Sequence, residues 1–220
     1  MKKLRGVILD VDGTLVDSND AHTEAWTQAL REHGYERPFD EVRRLIGMGG
    51  DNLLSEISEL DDKSGVGKQI VERRGEIFRT KYLPGIKAFP QVRALVERMQ
   101  AAGLEVAIAS SAKENELDPL LERANVADLI PKRTSADDAP NSKPDPDVIN
   151  AALQTLGLPP EAVVMVGDTP YDIAAATKAG VATIALRSGG WDDKALHAAR
   201  AIYADPAALL ADFAASPLGA

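Results

Sequence analysis

Four short apolar runs punctuate the 220-residue chain, at residues 4–9, 105–109, 162–166 and 181–186. Helical patterns follow or separate the later ones: Val92 to Ala102, Glu114 to Ala124, Pro146 to Leu156 and Tyr171 to Ala179. Runs this brief are too short for periodicity to settle alone, but strands that are apolar on both faces belong to sheets covered on both sides. Strand alternating with helix predicts an α/β fold, a parallel sheet flanked by helices. Residues 17–87 break the rhythm. AHTEAWTQALREHG, DEVRRLIG, DNLLSEISEL and GKQIVERRGEIFRTKYL all read as helix with no strand between them, a block too long for one crossover. It predicts a helical insertion after the first strand, entered through Val16 to Asn19 and left through Leu83-Pro84-Gly85. Two short connectors would let such an insertion hinge over a site below it.

Open parallel sheets carry their sites at the carboxyl ends of their strands, and the polar residues of this chain collect there. The first run ends as VILDVDGTLVDS, with Asp10 and Asp12 flanking Val11. Asp is depleted in strands and an unpaired buried charge is costly. A helix cap would account for one of the two carboxylates but not for both. EVAIA is followed by Ser110 and Ser111, and AVVMV by Gly167, Asp168 and then Asp172, while Lys143 lies in NSKPDPD. Singly, each has an ordinary explanation as a helix cap, a turn residue or a solvated charge. Two acidic pairs, a hydroxyl and a lysine on one rim are a different matter.

Composition narrows the chemistry. The chain has no cysteine and three scattered histidines, which removes disulfide and thiol chemistry and leaves zinc few ligands. A formal charge of −9 gives no general attraction for nucleic acid or an anionic membrane surface. An anionic substrate would therefore need a locally positive site, such as a bound metal makes. No apolar run is long enough to span a bilayer, and the N-terminus lacks the cleavage pattern of a signal peptide, so a cytoplasmic location is expected.

LDVDGTLVDS, the hydroxyl after IAS, the lysine of SKPDP and the acidic pair of GDTPYD, taken in that order, resemble the four motifs of the haloacid dehalogenase-like (HAD) hydrolases. The long helical block after the first motif is similar to the subfamily that contains phosphoglycolate phosphatase and β-phosphoglucomutase. The resemblance implies a Rossmann-like core from residues 1–16 and 88–220 with a small helical cap from residues 17–87. It implies a phosphatase in which Asp10 is the nucleophile and Asp12 the acid and base. Ser110 and Lys143 would contact and neutralise the phosphoryl group. Mg²⁺ would be held by Asp10, Asp168 and the Asp12 carbonyl, with Asp172 binding directly, through water, or by orienting the site. The expected partner is a small phosphorylated metabolite, with no nucleic acid and no membrane, in a monomer or weak homodimer. His22, Ser111, Gly49 and Gly50 are the candidate substrate contacts. Arg73 and Arg74 read as solvating a helix face, and Trp26 as cap core.

Asp12 argues against the dehalogenating and phosphonate-cleaving branches, which lack that carboxylate. A β-phosphoglucomutase-like activity remains the main alternative, since His22 matches a cap histidine of that enzyme. The metal motif reads Gly167-Asp168 rather than Glu-Asp, however, and the loop Gly47 to Asp51 offers no arginine for a second phosphate. A receiver-type phosphoacceptor domain shares the Asp, hydroxyl and Lys but needs neither a cap nor Asp12.

Overall fold

The computed structural model describes residues 3–219. Six strands form one parallel sheet: β1 (Gly6–Leu9), β2 (Glu105–Ala109), β3 (Arg133–Thr134), β4 (Val163–Gly167), β5 (Ala182–Leu186) and β6 (Ala201–Tyr203). Their spatial order is β3-β2-β1-β4-β5-β6. The strand order reverses about β1, and its register sets Leu9 level with Ile108 of β2 and Val166 of β4. The residues just past these three strands therefore emerge on one rim.

Alternation along β1 divides the core, because successive strand side chains point to opposite faces. Val7 and Leu9 join a cluster with Val92, Leu95, Val96 and Met99 of α5 (Val92–Ala101) and Leu209 of α9 (Pro206–Ala211). Ile8 joins Val148, Ile149 and Ala152 of α7 (Asp147–Leu156) and Ala175 and Ala176 of α8 (Pro170–Lys178). A fully buried aliphatic side chain stabilises by roughly 1.5–3 kcal/mol relative to exposure, so both faces of the sheet are strongly driven to be covered. α6 (Glu114–Arg123) follows β2, with Leu117, Leu120 and Leu121 buried.

Between β1 and α5 lie helices and no strand: α1 (Asn19–Glu32), α2 (Phe39–Arg43), α3 (Gly50–Ser58) and α4 (Gly65–Ile77), the last running on through a π turn at Phe78–Tyr82. Trp26, Leu30, Leu53, Leu54, Ile70 and Phe78 bury their side chains between them. The two connectors run side by side as a short antiparallel ribbon. Asp17 N–H donates to the Lys87 carbonyl, and Phe89 N–H to the Leu15 carbonyl, each at 3.0 Å. The helices are docked on the core through backbone carbonyls. Arg43 Nη2 donates to Gly189 O at 2.7 Å, Tyr171 Oη to Arg44 O at 2.7 Å and Asn52 Nδ2 to Lys143 O at 3.1 Å. Among the described residues no helix is long and apolar enough to cross a membrane.

The four strands read from the sequence are all present. The edge strands β3 and β6, with two and three residues, were not anticipated.

Candidate active site

Asp10 leaves β1 with its N–H bonded to Val166 O at 3.0 Å, which fixes it beside the end of β4. The chain then turns sharply, with Leu15 N–H reaching Val11 O at 2.8 Å and Gly13 N–H reaching Val16 O at 2.9 Å. Gly13 has φ +75°, and a β-carbon there would run into the Asp168 carboxylate, so both the turn and the close approach require glycine. The turn delivers Thr14, whose Oγ1 donates to Asp168 Oδ1 at 3.0 Å. Asn19, opening α1, donates through Nδ2 to Asp168 Oδ2 at 3.0 Å.

At the end of β4, Thr169 and Asp172 form a capping box for α8, with Pro170 in its first turn. Asp172 Oδ2 accepts from Asp168 N–H at 3.2 Å, Thr169 N–H at 3.0 Å and Thr169 Oγ1 at 2.8 Å. Its Oδ1 accepts from Lys143 Nζ at 2.8 Å. Lys143, fully buried, gives its other two protons to Asp10 Oδ1 at 2.6 Å and to Ala109 O at 3.0 Å. All three ammonium donors are thus matched.

This crowding shapes the charges. Burial pushes the Asp10 carboxyl up, and Asp172 and Asp12 add to it against the pull of Lys143, bringing it to about 7. Burial, then Asp172 and Asp10, hold Asp168 well above the usual carboxylate range despite the bonds from Asn19 and Thr14. Burial works against the Lys143 ammonium, but Asp10 and Asp172 outweigh it and raise its pKa. Carboxylate oxygens of Asp10, Asp168 and Asp172 lie within 4.8 Å of one another. Three acids against one ammonium, with only oxygen donors, fit a hard divalent cation. Both oxygens of Asp172 are engaged by the helix cap and the lysine, as both of Asp168 are by Thr14 and Asn19.

The sequence model described as haloacid dehalogenase-like hydrolase matches residues 7–186. The chain belongs to this family. It is 32% identical over 197 residues to a phosphoglycolate phosphatase of Rhodospirillum rubrum, covering 84% of this chain and 80% of that one. It is 31% identical to the phosphoglycolate phosphatase of Aquifex aeolicus, covering 82% and 83%. The crystal structure of a hydrolase from Pseudomonas syringae superposes with a TM-score of 0.89 at 28% identity, over 95% of this chain and 97% of that one. β-Phosphoglucomutase from Clostridium difficile shares the fold, with a TM-score of 0.84 at 16% identity over 98% and 97%.

In this HAD-like hydrolase the second aspartate faces the helices above the sheet. Asp12 Oδ1 accepts from Ser18 Oγ at 2.5 Å and lies 2.9 Å from His22 Nε2. Ser18 precedes α1 but makes no capping bond to it; its hydroxyl serves Asp12 instead. His22 stacks on Phe78, the ring centroids 3.9 Å apart and 14° from parallel, which fixes the imidazole. Burial pushes Asp12 up, but His22, Ser18 and Arg74 outweigh it and hold the carboxyl below its usual range. Asp10 and Asp12, two positions apart, are thus held in opposite electrostatic environments.

A cavity of about 60 Å³ lies between core and helices, lined by Asp10, Asp12, His22, Ser111, Arg74 and Glu116 among others. Ser111 Oγ faces no hydrogen-bond partner. Ser110 is fully buried at the end of β2, and its Oγ accepts from Ala112 N–H at 3.0 Å. Gly50 lines the cavity. Gly49 does not: its N–H donates to Lys143 O at 3.3 Å, docking the loop on the segment that carries the lysine.

Arg73 pairs with Glu32 and Glu76 on the surface, as a solvated face requires. Arg74 does not follow it. It is only 8% exposed, bonded to Glu116 Oε2 at 2.8 Å and set over the Trp26 ring at 5.3 Å. Trp26 is buried as expected but also walls the cavity. Trp191 packs edge-on against Tyr171, at 6.3 Å. The sequence placed Arg74 on a solvated helix face and did not single out Glu116. Periodicity held a signal for both, since Arg74 shares a helix face with Ile70 and Ile77, and Glu116 with Leu120.

Proposed function

We propose that the chain is a Mg²⁺-dependent phosphatase of small-molecule phosphomonoesters that works through a phosphorylated Asp10. The observation that carries this reading is the pair of aspartates at the end of β1. Asp10 sits in the buried acidic cluster against Lys143, while Asp12 is turned to the helical side and held by Ser18 and His22. Asp10 thus faces the cluster that would hold the cation, whose charge would keep it ionised as a nucleophile must be, and Asp12 faces the helical side.

Asp10 attacks phosphorus, forming the acyl-phosphate bond as the bond to the leaving oxygen breaks. Asp12 gives that oxygen its proton. In the second half Asp12 takes a proton from water as the water attacks phosphorus, which frees phosphate and restores Asp10. Both hydrogen bonds to Asp12 use Oδ1, leaving Oδ2 for these transfers. Lys143 neutralises charge beside Asp10, and Ser110 retains a hydroxyl proton to donate to a phosphoryl oxygen. Asp10 and Asp168, with the Asp12 carbonyl, would hold Mg²⁺, and Asp172 would orient Lys143 and the Asp168 loop. Bound there, the cation would offset the clustered carboxylates and the charge of the phosphoryl group.

The helices of residues 17–87 act as a cap on a core of residues 1–16 and 88–220, hinged on the ribbon of paired connectors. Relatives named phosphoglycolate phosphatase support the hydrolase reading. The His22–Asp12 contact also suits a phosphosugar mutase, but the loop at Gly47 to Asp51 supplies no arginine for a second phosphate. A panel of phosphorylated metabolites with free phosphate as readout, run with Mg²⁺ and with EDTA, tests the proposal. Phosphate release that ignores EDTA removes the metal, and conversion of β-glucose 1-phosphate without phosphate release favours the mutase.

A further inference from the structure

The cavity wall also holds an ion pair that a phosphatase mechanism does not require. Arg74 comes from α4 on the cap side and Glu116 from α6 of the core, and the two meet at 2.8 Å. Glu116 is only 1% exposed. Arg79 approaches its other oxygen at 3.5 Å, but that arginine is 38% exposed and does not line the cavity. Facing the cavity, then, Arg74 is already neutralised by Glu116. What the pair leaves open is polar but uncharged in sum. Arg74 Nε is a buried donor with no hydrogen-bond partner, Ser111 Oγ is another unpartnered group, and two of the four lone-pair positions of Glu116 are free.

We propose that Glu116 is a specificity-determining residue that makes this pocket accept phosphomonoesters with a neutral, hydroxyl-bearing distal end and reject those that end in a carboxylate. A hydroxyl accepts from Arg74 Nε and donates to Glu116, completing both. A carboxylate can only accept, so it takes the Arg74 donor, lies against the Glu116 acceptor oxygens without a proton to give them, and finds no net positive charge in the pair to offset its own burial. Glu116 cannot readily swing away, because both of its oxygens are held by arginines. Discrimination thus comes from a repulsive element as well as an attractive one. Trp26 fixes the guanidinium from its other face.

The inference rests on the phosphatase reading of Asp10, and one matched pair of substrates separates the two. 2-Hydroxyethyl phosphate and 2-phosphoglycolate differ only in CH₂OH against COO⁻, and both are small enough for a tight pocket. The wild-type enzyme should show a kcat/KM at least about tenfold higher for the hydroxyethyl ester. Glu116→Gln should move the ratio at least about tenfold toward 2-phosphoglycolate, with the change in KM rather than kcat. Circular dichroism reports whether that variant folds. The wild-type ratio stands as a test without it. A wild-type preference for 2-phosphoglycolate, or a ratio unmoved in folded Glu116→Gln, overturns the specificity role and leaves the phosphatase intact. Absence of phosphate release from both esters and from p-nitrophenyl phosphate overturns the phosphatase reading and this proposal with it.

Discussion

Lys143 Nζ lies 2.6 Å from Asp10 Oδ1 with both side chains buried, so the charge of each is matched chiefly by the other. Asp172 completes the arrangement at 2.8 Å. Replacing Lys143 with Met leaves two buried carboxylates without their cation. Removing one partner of a buried pair typically costs about 3–5 kcal/mol. Urea unfolding in metal-free buffer should show a loss of that order, along with loss of phosphate release. A variant within about 1 kcal/mol of wild type would mean that the carboxylates find relief elsewhere.

The acidic cluster makes the metal-free protein sensitive to pH in a stated direction. Asp10 is raised from 3.8 to about 7 by burial first, and then by Asp172 and Asp12. A carboxyl whose folded pKa is raised keeps its proton in the folded state after the unfolded chain has lost it. The folded state is therefore favoured below the unfolded value and loses that advantage as pH rises through the folded one. Asp168, raised in the same direction, adds to the effect. Without metal, the melting temperature should fall between about pH 5 and 7.5, and Mg²⁺ should restore more at the upper end. Asp168→Asn should flatten the slope. Equal stabilisation by Mg²⁺ at both pH values would place its binding elsewhere.

His22 holds the Asp12 carboxyl down, against burial, across 2.9 Å. As the base of the second half-reaction Asp12 must be ionised, so activity falls as pH drops through its pKa. In His22→Ala that pKa rises, and the acidic limb of the dephosphorylation rate should move to higher pH. Single-turnover decay of the phosphoenzyme across pH measures it. An unmoved limb would assign that titration to another group.

The two duties of Asp12 separate with the leaving group. In Asp12→Ala, Asp10 can still attack p-nitrophenyl phosphate, whose phenolate leaves without a proton. An alkyl phosphate needs the acid and should slow by about 10²–10⁴-fold. Water attack needs the base with either ester, so rapid quench should trap phosphorylated Asp10 with the aryl ester and little with the alkyl one. Equal slowing of both first steps, with no trapped species, would take the acid role from Asp12.

Much of this protein is legible without coordinates. The strands β1, β2, β4 and β5 announce themselves because a strand covered on both faces must be apolar at every position, as GVIL and VVMVG are. Asp10, Asp12, Asp168 and Asp172 stand out because carboxylates at the ends of such strands contradict their surroundings. β3 and β6 did not, since Arg133–Thr134 and Ala201–Tyr203 are too short to carry a period. Gly49 read as a candidate anion contact because a glycine-rich loop before a helix exposes its N–H groups; here that N–H is taken by Lys143 O.

The sequence by itself determined the alternation of strand and helix, the helical insertion and the acidic rim, because each follows from local pattern and from the order of residues along the chain. Only the tertiary structure decided that Lys143 divides its protons among Asp10, Asp172 and Ala109, that Ser18 serves Asp12 rather than its own helix, and that Arg74 turns inward to Glu116 while Arg73 stays in solvent. Apart from Ser18 and Asp12, six residues apart, those are pairings across tens of residues, 133 between Lys143 and Asp10 and 42 between Arg74 and Glu116. A charged or polar side chain has the same local sequence signature whether water or a buried partner satisfies it, and the partner exists only once the sheet has brought distant strand ends together.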